Sequence, residues 1–274
     1  MATTENRTYE TIRLDREDPL VWITFDRQPQ LNAMSHQLHE ELTDAMDMLE
    51  GDPKAKVVAI RGAGRAFSSG NDIDGAFDKD VRRDITTDRR MIAKNIERFL
   101  KIWDYPKPTI AAVHGYCLGA ATQLCVFCDI TVVADDAQIG IPSIPLGGGY
   151  ITPLWVHLVG PKRAKQMSFQ AGSRIDGKTA AEWGWANYSV PADQLEENVR
   201  AMALRIAKVP SDVLEVKKLS INRVMDVQGF RTIAPYGAEM DALLHESAVV
   251  QRLMDVLSEH GIKETIRRYE ADDW

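Results

Sequence analysis

Two stretches of this 274-residue chain place glycines where an apolar strand turns into a helix: RGAGRAFSSGNDI at 61–73 and HGYCLGAATQ at 114–123. Small residues let the main chain bend sharply there and let a ligand approach it closely. Amides left unpaired at such a turn, and at the helix N-terminus after it, point outward with partial positive charge. Two of them aimed at one point would stabilise a developing oxyanion. Glycines after strands also make ordinary tight connections, so the residues alone leave both readings open.

Ionisable side chains that could act beside these turns are scattered. Asp72 and Asp74 follow the first turn, where Asp also caps a helix well. His157 stands among Trp155, Leu158 and Val159, a setting typical of a core or interface histidine. Glu239, Asp241, His245 and Glu246 lie together near the C-terminal end, and the four-residue spacing puts Asp241 and His245 on one helix face, as a solvated or intersubunit pair would be. His114 precedes Gly115 and is read as support for its loop. Cys117, Cys125 and Cys128 fall within twelve residues, but no second cysteine pair or paired histidines complete a metal or redox site, and they are read as small core residues.

The elements that must position these groups alternate. IRLDREDPLVWITFDR reads as an antiparallel hairpin. SHQLHEELTDAMDMLEGD then puts Leu38, Leu42, Ala45, Met46 and Leu49 at helical spacing, between a Ser35 N-cap and Gly51. KVVAIRG, TIAAVHG and DITVVAD are short buried strands separated by helices at 84–103, 120–128 and 153–170. Strands and helices joined this way make an α/β fold with a largely parallel sheet. After Val190 three amphipathic helices are expected, at 195–209, 211–225 and 238–257. The division implied is an α/β core over 1–195 and a helical subdomain over 196–274.

Composition narrows the partners. A net charge of −7 argues against a nucleic-acid or anionic-membrane surface, and no apolar run is long enough to span a bilayer. MATTENRTYE lacks the basic and apolar segments of a secretory leader, and reduced thiols suit a cytoplasmic protein.

FDRQPQLNAMS, GRAFSSGNDI, KPTIAAVHGYCLGAATQLCVFCDI, AQIGIP and AGSRIDGKTAAEWGWANYSVP occur in an order and spacing that resembles the enoyl-CoA hydratase/isomerase family, the crotonase superfamily. The resemblance runs from about Tyr9 to Trp274. It implies a crotonase-like spiral of ββα units, a C-terminal helical trimerisation region, assembly as a homotrimer or dimer of trimers, and an acyl-CoA thioester as ligand. No metal and no cofactor are implied beyond the coenzyme A of the substrate. It also maps the oxyanion-hole amides onto Asn71 and Ala120, with Gly70 and Gly119 shaping the turns. CoA is expected near FDRQPQLNAM, with Arg27 on a phosphate, and along Ser68, Gly70, Asn71, Asp72, Ile73 and Asp74. Trp22, Phe67, Tyr116, Tyr150 and Trp155 are candidate walls of an acyl pocket or simply core.

The sequence departs from the hydratase pattern at the two positions where that pattern has glutamates. They hold Gln123 and Ser143, neither of which ionises near neutral pH, although both can hold a water. The following loop, IPLGGGYITPLW, is about three residues shorter than in relatives and has no acid. Three functions stay open: an acyl-CoA enzyme that stabilises a thioester enolate, a carbon–carbon bond hydrolase or lyase of the same fold, and a non-catalytic acyl-CoA-binding protein.

Overall fold

A computed structural model of the chain describes residues 8–73, 84–148 and 151–274. Strands β1 (Ile12–Glu17) and β2 (Leu20–Phe25) form the expected antiparallel hairpin, with Ile12 opposite Phe25. Helix α1 (His36–Glu50) buries the five predicted apolar positions, and the Ser35 Oγ accepts from the Leu38 amide at 3.2 Å. From there the chain winds as a spiral, each turn laying one strand in each of two sheets before a helix returns it. The turns are β3 (Val57–Gly62), β4 (Ala66–Ser68) and α2 (Ile85–Asp104), then β5 (Thr109–Val113), β6 (Tyr116–Leu118) and α3 (Ala120–Phe127), then β7 (Ile130–Ala134) and β8 (Gln138–Gly140). Helix α4 (Val156–Phe169), strand β9 (Arg174–Ile175), helix α5 (Gly177–Trp183) and strand β10 (Tyr188–Val190) follow.

The larger sheet has the order β1-β2-β3-β5-β7-β10, and every pairing after the hairpin is parallel. The smaller one runs β4-β6-β8-β9, with β9 antiparallel at its edge. VVAI and TIAAV are buried along their whole length, which is why these strands read as continuous apolar runs rather than as alternation. The core is centred on Trp22, Phe25, Phe99, Phe127 and Trp155. All three cysteines are free and buried in it, and burial pushes the Cys125 and Cys128 thiols well up, so they are packing groups.

Helices α6 (Leu195–Ile206), α7 (Ser211–Val227), α8 (Phe230–His245) and α9 (Ala248–Glu270) close the chain. The core cluster continues into them through Leu195, Val199, Phe230 and Ala234. Two helix boundaries differ from the sequence reading. The helix expected over 238–257 is the end of α8 and the start of α9, because Ser247 caps a new helix, its Oγ accepting from the Val250 amide at 3.3 Å. The helix expected over 153–170 is a 3-10 turn, Pro153–Trp155, followed by α4, which breaks at Gly160 (φ 75°) just before Pro161. Among the described residues no helix is long and apolar enough to cross a membrane.

Candidate active site

Because β4 and β6 are parallel neighbours, their C-terminal ends deliver the two glycine turns side by side. Gly70 has φ 97° and Gly119 φ 57°, values that favour glycine. A Cβ on Gly70 would lie 2.7 Å from the Leu118 carbonyl oxygen and 3.2 Å from the Ala120 nitrogen, so the turns are in contact. Ala120 opens α3, and the first amides of a helix have no acceptor within it. On the other turn, the Met34 amide donates to the Gly70 carbonyl at 2.8 Å and the Asp72 amide to the Met34 carbonyl at 3.2 Å. That bridge uses the groups flanking Asn71, so the Asn71 N–H points away from Met34.

Buried hydrogen bonds fix the first turn. The Ser68 Oγ, fully buried, accepts from the Gly70 amide at 3.1 Å. Asn32, also fully buried, donates through Nδ2 to the carbonyls of Ala63 (2.9 Å) and Ala66 (2.8 Å) and accepts from the Arg27 amide at 2.9 Å. Asn32 lies in the quoted FDRQPQLNAM motif, but nothing in its local spacing says that it pins a turn more than thirty residues away. His114 does support its loop, its Nε2 lying 2.8 Å from the Gly64 carbonyl oxygen.

The side chains read from sequence as CoA contacts are partly engaged with each other. The Arg27 Nη1 donates to the Asp72 Oδ2 at 2.7 Å and to the Ala33 carbonyl at 2.5 Å. Asp72 therefore pairs with a cation, and the residues it would cap lie outside the described ones. Ile73 is half-buried beyond Asp72. Asp74 and Tyr150 lie outside the described residues.

Gln123 is fully buried on α3, and neither its Nε2 nor its Oε1 has a hydrogen-bond partner among the described residues. A buried amide left this way is costly, so its two polar atoms call for a polar guest. Ser143 is half-buried, packed against Gly172, whose added Cβ would sit 3.5 Å from the Ser143 Oγ. The preceding Pro142 reaches the second turn, its Cγ 3.5 Å from a Cβ placed on Gly119. Among the described residues no group of His, Cys, Asp or Glu is arranged to hold a metal.

Other candidates are distributed differently. Trp22, Phe67 and Trp155 are fully buried, and Tyr116 carries the Arg174 guanidinium 5.4 Å above its ring. His157 packs against the Phe230 ring at 5.7 Å. On α8, Glu239 pairs with Arg89 at 2.7 Å and the His245 Nδ1 lies 2.6 Å from the Asp88 Oδ2, both on or beside α2. Asp241 does not share their exposure: it is buried, and its Oδ1 accepts from the Gly148 amide at 2.7 Å.

Residues 15–251 match the family described as enoyl-CoA hydratase/isomerase. Among its relatives, the chain is 29% identical to a hydroxycinnamoyl-CoA hydratase-lyase of Pseudomonas fluorescens, over 98% of this chain and 99% of that one. It is 32% identical to a probable enoyl-CoA hydratase of Mycobacterium bovis, over 80% and 84%. Among solved structures, a putative enoyl-CoA hydratase/isomerase from Novosphingobium aromaticivorans superimposes with a TM-score of 0.90 at 42% identity, covering 95% of both chains. An enoyl-CoA hydratase/isomerase from Xanthobacter autotrophicus also gives 0.90, at 30% identity over 97% and 99%. The fold is thus shared along nearly the whole length, and this chain belongs to the enoyl-CoA hydratase/isomerase family.

Proposed function

We propose that the protein processes an acyl-CoA through a thioester enolate held by the Asn71 and Ala120 amides, without the two-glutamate hydration chemistry. The observation that supports this is the contact between the Gly70 and Gly119 turns, which brings the Ala120 nitrogen close to the segment that carries Asn71. When the α-carbon of a thioester loses a proton, or its β-carbon is attacked, charge moves onto the carbonyl oxygen. Two fixed donors lower the energy of that state, and one such donor is worth about 3–4 kcal/mol in other acyl-transfer sites. Gln123 adds a buried amide able to orient a water or a polar substrate atom. Coenzyme A enters only as part of the substrate.

A second reading is favoured by the full-length match to a hydroxycinnamoyl-CoA hydratase-lyase. Water added across the double bond of a hydroxycinnamoyl-CoA would give a β-hydroxy thioester. As its α,β-carbon bond breaks, the hydroxyl proton is lost and the aldehyde leaves, the electron pair passing into the carbonyl held by the same hole. Protonation of that enolate gives acetyl-CoA. Incubation with a hydroxycinnamoyl-CoA, with detection of acetyl-CoA and an aldehyde, separates this reading from the first.

Self-association belongs to the same proposal. Helix α7 is turned inside out: its inward face carries Lys218, whose Nζ donates to Asp129 at 2.9 Å, and Asn222, whose Nδ2 donates to the Trp103 carbonyl at 2.7 Å. Its outward face carries Val216, Leu219, Ile221, Val224 and Val227, all exposed. Ile233, Tyr236, Met240, Leu243 and Leu244, also exposed, lie on the adjoining α8. Such a contiguous apolar face suits burial against further copies of the chain as a trimer or a dimer of trimers.

The reading is tested with butyryl-CoA in D₂O. Calorimetry reports binding and NMR reports exchange of the α-protons, which requires the enolate but no particular overall reaction. Binding with no exchange, and no turnover of any acyl-CoA, would leave a non-catalytic binding protein.

A further inference from the structure

A carboxylate on α8 takes the space that a side chain at 147 would need. A Cβ on Gly147 would lie 2.7 Å from the Asp241 Oδ2, 3.0 Å from its Cγ and 3.1 Å from its Oδ1, so the loop's main chain lies against both oxygens. One residue on, the Gly148 amide donates to the Asp241 Oδ1 at 2.7 Å, and a Cβ on Gly148 would meet the Leu244 Cδ2 at 3.5 Å. Asp241 is 8% exposed whereas Gly147 and Gly148 are exposed, so the loop lies over the carboxylate and shields it from water. A hydrogen bond to an ionised group is strong, and stronger still in such shelter.

The same stretch of chain touches the second glycine turn. The Gly172 amide donates to the Pro142 carbonyl at 2.9 Å, and Ile144 is buried, which ties the start of the loop down. From there the Pro142 Cγ lies 3.5 Å, and beyond the loop the Ile151 Cδ1 3.8 Å, from a Cβ placed on Gly119. Residues before and after the tip therefore pack on Gly119, while the tip itself is fastened to α8. Helix α8 is in turn tied to α2 by Glu239 with Arg89 and by His245 with Asp88.

We propose that Asp241 is a positioning residue of the oxyanion hole: by clasping Gly147 and Gly148 to α8 it keeps Pro142 and Ile151 against the Gly119 turn, and so fixes the aim of the Ala120 amide. The proposal rests on the reading of that amide as a hole donor. Such a donor works because it is aimed before charge develops, and a displacement of about 1 Å can cost about 10²-fold in rate. Glycines at 147 and 148 give the loop tip no side chains with which to hold itself, and the carboxylate supplies the hold from outside.

Bound butyryl-CoA reports the hole directly, because donors on a thioester carbonyl lower its infrared stretching frequency. Asp241→Ala should bind free CoA as the wild type does, show a smaller carbonyl shift, and lose about 10- to 100-fold in α-proton exchange at saturating butyryl-CoA in D₂O. Asp241→Asn keeps an acceptor for the Gly148 amide and should lose less. Gly147→Ala, which presses on the carboxylate, should act like Asp241→Ala. In the double variant the new methyl group enters the space the carboxylate has left, so the losses should not add. Additive losses, an asparagine variant as impaired as the alanine one, or a wild-type carbonyl shift in folded Asp241→Ala would overturn the proposal. If Asp241→Ala does not fold, a wild-type carbonyl shift in Gly147→Ala overturns it instead. A carbonyl shift without exchange in the unmodified protein would overturn the enolate reading alone, the clasp then standing or falling on the shift in the variants. No carbonyl shift in the unmodified protein would overturn both.

Discussion

Gly70 lies against Ala120: a methyl group on Gly70 would come within 3.2 Å of the Ala120 nitrogen and 2.7 Å of the Leu118 carbonyl oxygen. Residues fifty apart in sequence thus meet at one point because β4 and β6 are parallel neighbours. Gly70→Ala meets backbone on one side and an unfavourable positive φ on the other. It should destabilise the fold by about 1–3 kcal/mol and separate the two turns, lowering α-proton exchange. Thermal melting and the D₂O assay measure the two effects.

Ala120→Pro is the cleaner probe of the hole. Proline is well tolerated at the first position of a helix and replaces the N–H there with a ring carbon, so α3 should survive. Acyl-CoA turnover and α-proton exchange should be lost, by about two to three orders of magnitude, while free CoA still binds. Unchanged turnover in the folded variant would remove Ala120 from the hole.

Restoring the two missing acids tests their absence. The natural protein should hydrate crotonyl-CoA poorly, and Gln123→Glu with Ser143→Glu together should raise that rate, each correctly placed acid or base contributing about 10²- to 10⁴-fold. Single changes should gain little, because the two groups act on one water. The Gln123 site is fully buried and the loop beyond Ser143 is short, so a glutamate at 123 should have a raised pKa and the gain should appear toward higher pH. Efficient hydration by the unmodified protein would contradict this account.

His39 sets a pH limit on stability. Burial, with smaller contributions from the charges of Arg98 and His36, lowers its pKa from 6.5 to about 4, while a polar contact with the Asn71 side chain works in the opposite direction. The unfolded chain therefore binds the proton more readily than the folded one between these values. Stability should be fully present above pH 6.5 and fall by about 3 kcal/mol on acidification toward pH 4. Urea midpoints measured across this range should show the decline, and His39→Leu should flatten it.

Lys218 and Asp129 test how α7 is attached. The Asp129 carboxylate also accepts from the Thr109 amide and hydroxyl, at 2.7 and 2.9 Å, and burial raises its pKa despite the nearby lysine. Lys218→Met would leave that carboxylate without its cation and should cost about 3–5 kcal/mol in chemical denaturation. By contrast, Val216→Asp on the outward face should leave the protomer folded and reduce the mass found by light scattering from that of a trimer or hexamer.

The spiral was legible in sequence because its determinants are local. Continuous apolar runs such as VVAI and TIAAV mark strands buried on both faces, the α1 periodicity and its Ser35 cap mark a helix, and five motifs in register identify the family. The glycines of the two turns were equally visible, since a required backbone conformation restricts the residue that adopts it. What the sequence could not show was which side chains meet. Asp72, read as a cap, also meets Arg27 forty-five residues earlier, and Asp241, read with His245 as a solvated or intersubunit pair, is buried against Gly148 ninety-three residues earlier. Pairings at such separations depend on where the sheets carry each loop, and periodicity records only which face of an element a residue occupies. The cradle is written in local backbone requirements. The burial of Asp241 against Gly148, and the inverted packing of α7, exist only once the helices have closed over the sheets.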